Sequence, residues 1–436
     1  MSLSIWYNLS NVYTMKNLVF LLCVIVSAFL VSCDDDGPYE DYLVARPILQ
    51  DAITFKAEAV SVTEPVPIVS SGKIYAYGNY IFVNDVNKGF HVIDNQNPSS
   101  PESIAFIKLE GNNDISIKDD KIYADSYGDL VIFDISDITN ITIQSRIVNA
   151  IYNNEVWLSN IEYPQADFYE YGDIDYDRDI VIGWEVVTER RSVEEYESRY
   201  NCDGCVVDSL ESFNDSPQPS TGQGGSLARF KIIGDYLYVV DYSDINIFNI
   251  TDVEDVKVLD DVQVAWDIET IYSQGDILFI GGSQGMYIYG IENPEKPEFM
   301  SEFRHGTACD PVVVDGDYAY VTLKGGNFCG NTESGLYVID ISNLENPELK
   351  VIYPMDGPNG LGVKGNTLFV CDGDSGLKIY DKTDAPNINL INALEDIVAY
   401  DVIPMASSLL MIGERVLYQY EYEGNDIRLL SEFPLN

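Results

Sequence analysis

Short runs of alternating apolar and polar residues recur along the chain from about residue 70 to its end. The segments Gly89–Asp94, Asp129–Asp134 and Gly335–Asp340 share one pattern, in which mostly apolar residues lead to a final aspartate. Related copies lie at 244–249, 285–290, 376–381 and, more weakly, 417–421. Such runs are typical of β-strands, whose successive side chains point to opposite faces of a sheet.

The copies lie about 40 residues apart, and the order of features within each unit is constant. An apolar run leads to a tight turn such as Gly234-Asp235, a second apolar run follows, and then the six-residue segment, a polar Asn-Pro turn and a last short strand. Gly-Asp turns between apolar runs indicate β-hairpins. Four strands per unit and seven units predict an all-β fold, a seven-bladed β-propeller. A large insertion, at about 150–225, separates blades 2 and 3.

Two of the units identify a family resemblance. The segments 90–98 and 336–347, each ending in Asn-Pro, resemble the LVIVD-repeat family of exported bacterial propellers. The resemblance implies a propeller fold and a location in the cell envelope, and it implies no particular chemistry.

The N-terminus has the pattern of an export signal. Met15-Lys16-Asn17 precede an apolar run from Leu18 to Phe29, which is short for a membrane span, and Leu30-Val31-Ser32-Cys33 follow. This ending resembles the lipobox of bacterial lipoproteins, which implies cleavage before Cys33 and lipidation of its thiol. The alternative is an uncleaved N-terminal anchor. We interpret residues 1–14 as lying upstream of the true start.

The predicted organisation is therefore a signal peptide over 1–32, a flexible acidic tether over 33–52 and a propeller over 53–436. Asp34-Asp35-Asp36 fit a solvated leader, but they also resemble the surface-export signal of Bacteroidota lipoproteins. We expect a lipid-anchored protein of the outer membrane that faces the exterior. A periplasm-facing or inner-membrane location is the alternative.

The charge balance limits the possible partners. The chain has 71 Asp and Glu against 25 Lys and Arg, a net charge of −46, and 46% of its residues are hydrophobic. A surface of this sign repels nucleic acid, so we expect no nucleic-acid partner. It acts as a solvating coat, or it attracts divalent cations or a basic partner.

The cysteines predict disulfides, since an exported protein folds in an oxidising compartment. We expect Cys202–Cys205 and Cys309–Cys329 to pair, and Cys371 to be a buried free thiol. A bridge between Cys309 and Cys329 would stabilise a long loop by about 3 kcal/mol. The Cys-x-x-Cys segment has no sequence context that supports redox or zinc chemistry.

One position at the start of each predicted innermost strand forms a column that should converge at the mouth of the central channel. Acids and amides of this kind could bind Ca²⁺ or a polar ligand, since Ca²⁺ prefers oxygen ligands. The alternative is that they cap backbone N–H groups. The column consists of Gly72, Asn113, Ala228, Glu269, Asp310, Asn359 and Asp401, with Asp114 beside it; Asp310, Glu269 and Asp401 are the candidate metal ligands.

Arg304 and His305 are rare basic residues on the crossing that leads to Asp310. They could recognise a carboxylate or take part in acid–base chemistry, or Arg304 could form a structural salt bridge.

The chain contains no nucleophile elbow, zinc-protease motif, P-loop or dinucleotide fingerprint. The leading hypothesis is a non-enzymatic binding or scaffolding protein for a glycan, a peptide or an envelope protein, with no catalytic residues. The alternative is a cation-dependent hydrolase or lyase that uses Asp310, Glu269, Asp401 and His305.

Overall fold

A computed structural model describes residues 38–151, 161–172, 174–175, 178–198, 223–305, 311–325, 333–424 and 426–435. Within these ranges the regular secondary structure is almost entirely β-strand, as the alternating runs predict. The two described helices are α1 (Ala52–Glu58) and α2 (Val193–Ser198). Neither is long and apolar enough to cross a membrane.

The described strands begin and end as follows. Those of the first half are β1 (Tyr39–Asp51), β2 (Val60–Thr63), β3 (Ser71–Tyr77), β4 (Tyr80–Asp85), β5 (Gly89–Asp94), β6 (Glu102–Leu109), β7 (Ile115–Lys118), β8 (Lys121–Ser126), β9 (Asp129–Asp134), β10 (Thr142–Ile147), β11 (Phe168–Tyr169), β12 (Asp179–Ser192), β13 (Gln223–Gly224), β14 (Phe230–Ile233), β15 (Tyr236–Val240), β16 (Asp244–Asn249), β17 (Lys257–Val258) and β18 (Val262–Gln263). Those of the second half are β19 (Ile268–Gln274), β20 (Ile277–Gly282), β21 (Gly285–Gly290), β22 (Glu298–Arg304), β23 (Val312–Asp315), β24 (Tyr318–Leu323), β25 (Gly335–Asp340), β26 (Glu348–Pro354), β27 (Leu361–Lys364), β28 (Thr367–Cys371), β29 (Leu377–Asp381), β30 (Asn389–Leu394), β31 (Asp401–Pro404), β32 (Ser408–Ile412), β33 (Val416–Glu423) and β34 (Asp426–Pro434).

The chain divides into two compact units. The first comprises Met1–Ile48, Glu162–Asp173 and Gly183–Leu210, and the second comprises Leu49–Ile161, Ile174–Ile182 and Glu211–Asn436. Among the described residues the strands form eight sheets, one more than the seven blades predicted.

The additional sheet has three strands in the order β11-β1-β12, and it belongs largely to the first unit. Its central strand, β1, is parallel to β11, with Val44 opposite Phe168. The side chains of Tyr42, Val44 and Phe168 form a small buried cluster. The prediction of a flexible tether over 33–52 is therefore wrong for residues 39–51, because alternate apolar side chains there are buried in a sheet.

The second unit contains the other seven sheets, each built from four antiparallel strands in chain order. We number them by their position in the chain and call the first strand of each the inner strand. They are sheet 1 (β3–β6), sheet 2 (β7–β10), sheet 3 (β14–β17), sheet 4 (β19–β22), sheet 5 (β23–β26), sheet 6 (β27–β30) and sheet 7 (β31–β34). Sheet 1 also carries β13 along its inner strand and β2 along its last strand, and in sheet 3 β18 pairs with β16.

Apolar clusters join each of these sheets to the next one along the chain. Phe90 of sheet 1 and Phe133 of sheet 2, for example, meet edge to face with ring centroids 6.0 Å apart. A further cluster joins the last sheet to the first, where Leu410 of sheet 7 shares buried surface with Ile81 of sheet 1. The sheets are thus held by a closed succession of apolar interfaces.

The last residue of the repeated six-residue segment explains why a polar turn follows it. In five sheets this side chain accepts a hydrogen bond from the backbone N–H two residues later, at 2.8 to 3.0 Å. Asp and Asn are favoured at such positions because their short side chains can replace a backbone acceptor. The residues are Asp94, Asp134, Asn249, Asp340 and Asp381.

Cys371 is buried and free, as predicted. Its burial raises the pKa of the thiol well above the ordinary value, which makes it unreactive. Both predicted disulfides, Cys202–Cys205 and Cys309–Cys329, and the predicted lipidation site Cys33 lie outside the described residues.

Candidate functional site

The inner strands of the second unit begin close to one another. Lys73 at the start of sheet 1 lies 3.3 Å from Asp114, just before sheet 2, and Asp114 accepts a 2.8 Å hydrogen bond from the backbone N–H of Arg229, just before sheet 3. Gly360 before sheet 6 similarly donates to the carbonyl of Tyr400 before sheet 7, at 2.8 Å. We call this edge of the seven sheets, where the inner strands begin and the second strands end, the top face.

Asn113 and Asp114, two of the predicted ligand-binding residues, are engaged in a polar network. The Asn113 side chain donates to Asp125 Oδ2 at 2.8 Å, and the backbone N–H groups of both residues donate to Asp125 Oδ1. The Asp114 carboxylate accepts from the N–H of Ile115 as well as from Arg229. These contacts hold the crossing between sheets 1 and 2 in place.

Lys73 and Asp114 form an ion pair that is almost completely withdrawn from solvent. Burial disfavours both charges, so it raises the pKa of Asp114 to about 7 and lowers the pKa of Lys73 to about 8. Perturbed pairs of this kind occur in active sites, but here neither side chain is open to a substrate.

Asp401 is fully buried, and neither of its carboxylate oxygens forms a hydrogen bond. Burial raises its pKa well above the ordinary value; Lys73 and the N–H groups of Val402 and Ser226 act in the opposite direction but more weakly. Burial therefore favours the neutral carboxylic acid form of Asp401 more than solvent exposure would.

The polypeptide itself occupies the space between several inner strands. Strand β13 pairs with β3 of sheet 1, Ser226 Oγ accepts from the N–H of Leu361 in sheet 6, and the Ala228 carbonyl accepts from the N–H of Ile271 in sheet 4. The segment 223–228 therefore runs past the starts of strands where the sequence predicted an open channel mouth.

The remaining predicted residues lie at the starts of other inner strands or at the end of an outermost strand. Glu269 lies at a β-bulge of β19, and the Asn359 side chain donates to the carbonyl of Gly357 at 3.0 Å. Arg304 and His305 lie at the end of β22, the outermost strand of sheet 4; Arg304 pairs with Glu302 at 2.7 Å.

Asp310 lies outside the described residues. In the part of the chain that the structure describes, no three His, Cys, Asp or Glu side chains are grouped so as to bind a metal ion. Calcium binding through Asp310, Glu269 and Asp401 stays a prediction.

A set of acids at the ends of the second strands was not predicted. Asp85 accepts from the N–H groups of Val69 and Ser70, and Asp125 and Asp372 make the same kind of contact with the crossings before their inner strands. Asp241 accepts instead within its own loop. An acid after the second apolar run, as in Val-Asn-Asp85 or Val-Cys-Asp372, is the sequence signal that would have revealed them.

A polar cavity of about 240 Å³ opens between sheets 2 and 3 at the top face. Its polar lining includes Asn113, Asp125, Arg229 and Asp241, and Tyr242 also lines it. It therefore presents carboxylate, amide and guanidinium groups within one small volume, and Asn113 is the predicted site residue that it includes.

Tyr242 of this cavity packs against a second exposed aromatic ring, that of Trp266. Tyr242 is 57% exposed and Trp266 65% exposed, with ring centroids 5.8 Å apart. A hydrogen bond to Asp267 raises the pKa of Tyr242 and fixes its hydroxyl. Asp267 has a left-handed backbone (φ 58°), a conformation tolerated by Asp and often found at functional sites. Both rings come from loops, where strand periodicity gives no signal.

The comparison with known families identifies the repeat. A family model described as the LVIVD repeat matches residues 70–105, 112–148 and 305–354, which correspond to sheets 1, 2 and 5. The chain contains LVIVD repeats. The predicted LVIVD repeat is confirmed, and the final aspartates of the three matched repeats are the turn-forming Asp94, Asp134 and Asp340.

Several solved structures resemble this LVIVD-repeat chain. A protein from Lactobacillus plantarum aligns with a TM-score of 0.50 and 10% identity, over 83% of this chain and 96% of its own. The periplasmic gluconolactonase of Pseudomonas aeruginosa aligns with a TM-score of 0.49 and 11% identity, over 86% of this chain and 96% of its own. Kluyveromyces lactis Hsv2 aligns with a TM-score of 0.45 and 10% identity, over 84% of this chain and 100% of its own. At such identities the likeness concerns the fold and carries no function. Among curated proteins, none matches the chain in sequence.

Proposed function

We propose that this protein is a non-enzymatic, carbohydrate-binding β-propeller that is attached to the cell envelope. The observation that carries the proposal is an exposed aromatic pair: Tyr242 lines the polar cavity between sheets 2 and 3, and the Trp266 ring lies 5.8 Å from the Tyr242 ring. Large aromatic side chains left in water beside a cavity are typical of binding sites.

The chemistry of the cavity suits a neutral sugar. A sugar ring has apolar C–H faces, which pack on aromatic rings, and a rim of hydroxyls, which need both donors and acceptors. Tyr242 and Trp266 supply the apolar surface. Asp125 and Asp241 supply acceptors, and Arg229 supplies donors. The net charge of −46 disfavours a polyanionic ligand.

We propose further that the second unit is a closed propeller with seven blades, one for each of sheets 1 to 7. The support is the apolar interface between sheets 7 and 1, which completes the succession. In that arrangement the three-stranded sheet with β1 at its centre is an additional element and not a blade. The loops of the top face would then form one binding surface, as is common in repeat scaffolds.

The location is proposed from the sequence. The apolar run before Cys33 supports export, the lipobox-like Leu30-Val31-Ser32-Cys33 supports lipidation, and Asp34-Asp35-Asp36 support transfer to the cell surface. An outer-membrane lipoprotein that faces the exterior would meet glycans of the cell's surroundings.

A glycan array tests the function on the intact protein. We expect wild-type protein to bind a subset of neutral glycans, and Trp266→Ala and Tyr242→Ala each to weaken binding about tenfold, or about 1.4 kcal/mol. Phe299→Ala is the matched control, since Phe299 is a similarly exposed aromatic of sheet 4 that does not line the cavity and packs against Tyr289 rather than Tyr242. Binding that survives Trp266→Ala unchanged would exclude this site. Retention of a peptide or an envelope protein without any glycan would favour the scaffolding alternative.

A further inference from the structure

A second cavity lies on sheet 2, beneath helix α1. It has a volume of about 310 Å³, within the range of small-molecule sites. Its walls are apolar. Several of the lining side chains, including Ile53, Ile143 and Val148, are exposed to solvent, although apolar side chains of this size are more often buried in a core. The lining residues are Ile53, Lys56, Ala57, Val60, Asp129, Val131, Ile143, Arg146 and Val148.

The polar part of the cavity is a triad of charges, in which Asp129 is buried and Lys56 and Arg146 are partly buried. Asp129 is completely buried, with Oδ1 lying 2.7 Å from Lys56 Nζ and Oδ2 lying 3.2 Å from Arg146 Nε. Oδ1 also accepts from the N–H of Asn149. The other end of Arg146 is fixed by its donation to the Lys56 carbonyl and to Ser126 Oγ. The triad is therefore rigid before any ligand arrives.

The charges of this triad do not cancel. Two cations meet one carboxylate, so the charged lining of the cavity carries one net positive charge in a chain whose net charge is −46. An uncompensated charge on partly buried side chains is unfavourable, and an anion of single charge would neutralise it. The Lys56 ammonium has three donors, and the structure pairs it with Asp129 Oδ1.

We propose that this cavity binds an amphiphile with one carboxylate and an unbranched apolar chain, in the manner of a medium-chain fatty acid. The carboxylate lies against Lys56 and Arg146, and the chain lies along Val131, Ile143 and Val148. This binding site is separate from the one proposed for glycans, because none of its lining residues is shared with the cavity between sheets 2 and 3.

Calorimetric titration of the full chain with decanoate tests the proposal. Lys56→Met leaves Asp129 and Arg146 as a balanced pair, so it removes the net charge without leaving a charge unpaired. We expect it to weaken decanoate binding at least tenfold. Lys296→Met, which removes an exposed lysine of sheet 4's polar turn, should leave binding unchanged. The N-terminal apolar run is the same in all variants, so binding there cannot produce the difference.

Two further measurements cover the case in which Lys56→Met disturbs the fold. Ala57 is exposed on α1, and Ala57→Trp should fill the opening and abolish binding without touching the core. With wild-type protein, decan-1-ol and acetate should each bind at least tenfold more weakly than decanoate. Decan-1-ol lacks the carboxylate, and acetate lacks the long apolar chain. Equal binding of decan-1-ol, equal binding by Ala57→Trp, or no binding of any carboxylate of about six to fourteen carbons would overturn the proposal.

Discussion

Ionisable side chains without access to solvent are concentrated where the inner strands begin. Lys73 and Asp114 compensate one another at 3.3 Å, whereas Asp401 has no hydrogen-bond partner for either oxygen. A carboxylate in such a place resists ionisation, so folding favours its protonated form at pH values above the ordinary pKa of 3.8. The consequence is a measurable dependence of stability on pH.

Asp401→Asn should stabilise the protein at neutral pH. The folded pKa of Asp401 lies above its unfolded value of 3.8, so wild-type stability falls as pH rises from about 4 towards the folded pKa. The asparagine removes this loss, and the variant should gain about 1.4 kcal/mol for each pH unit in that window. Urea unfolding at about pH 4.5 and about pH 7.5 measures the gain.

Asp374 is exposed and supplies the control, since Asp374→Asn also removes one carboxylate, but outside the core. A gain for Asp401→Asn that is equal at both pH values would contradict the raised pKa of Asp401. The same unfolding curves with Ca²⁺ or a chelator address the predicted cation site: a Ca²⁺-dependent stabilisation that Asp401→Asn removes would show that a cation binds there.

At the scale of the element, the turn after the third strand is the most regular feature of the repeats. Asp340 accepts from the N–H and hydroxyl of Ser342 and pairs with Lys350 at 3.1 Å. These contacts favour the ionised form and hold the pKa of Asp340 at about 2. The side chain links the end of β25 to the turn and to β26.

Asp340→Ala should lower the melting temperature near neutral pH by about one or two degrees. Because the folded pKa lies below the ordinary value of 3.8, the stabilisation is present above about pH 4 and is lost as pH falls towards 2. Melting curves of wild type and variant should therefore converge over that window. Glu345→Ala removes an exposed acid from the same turn and should show no such convergence; parallel curves for Asp340→Ala would contradict the role of this turn.

The strands themselves could be predicted from the sequence because alternation and turn residues agree there. The segments 89–94 and 335–340 are strands with those bounds, β5 and β25. Strand β1 was missed because acidic and proline residues around it suggested a tether. Its buried side chains are Tyr42, Val44 and Ala45, which follow the alternation of a strand only in part. Local composition cannot show a strand whose partners, β11 and β12, lie more than a hundred residues away.

The site was predicted less well than the strands. The alignment of repeats correctly brought Asn113 and Asp114 to the top face, but it could not show that Lys73 is buried beside them or that Ser226 enters the space between inner strands. Tyr242 and Trp266 lie in loops, which have no periodicity, and their approach depends on the packing of sheets 3 and 4.

For the whole molecule, the strongest electrostatic effect is self-repulsion among 71 acidic residues, with 25 basic residues to offset it. Repulsion between exposed charges is screened by salt, whereas the apolar interfaces between sheets are not weakened by it. The melting temperature should therefore rise between about 20 mM and about 500 mM NaCl. A fall over this range would indicate that surface ion pairs outweigh the repulsion.

The central claim is that the top face between sheets 2 and 3 binds a glycan. Hydroxyl-radical footprinting of the intact protein, with and without the glycan that it retains most strongly, tests this claim directly. We expect oxidation of Trp266 and Tyr242 to fall on binding, while oxidation of the similarly exposed Phe299 does not change. Unchanged oxidation of Trp266 in the presence of a bound glycan would contradict it.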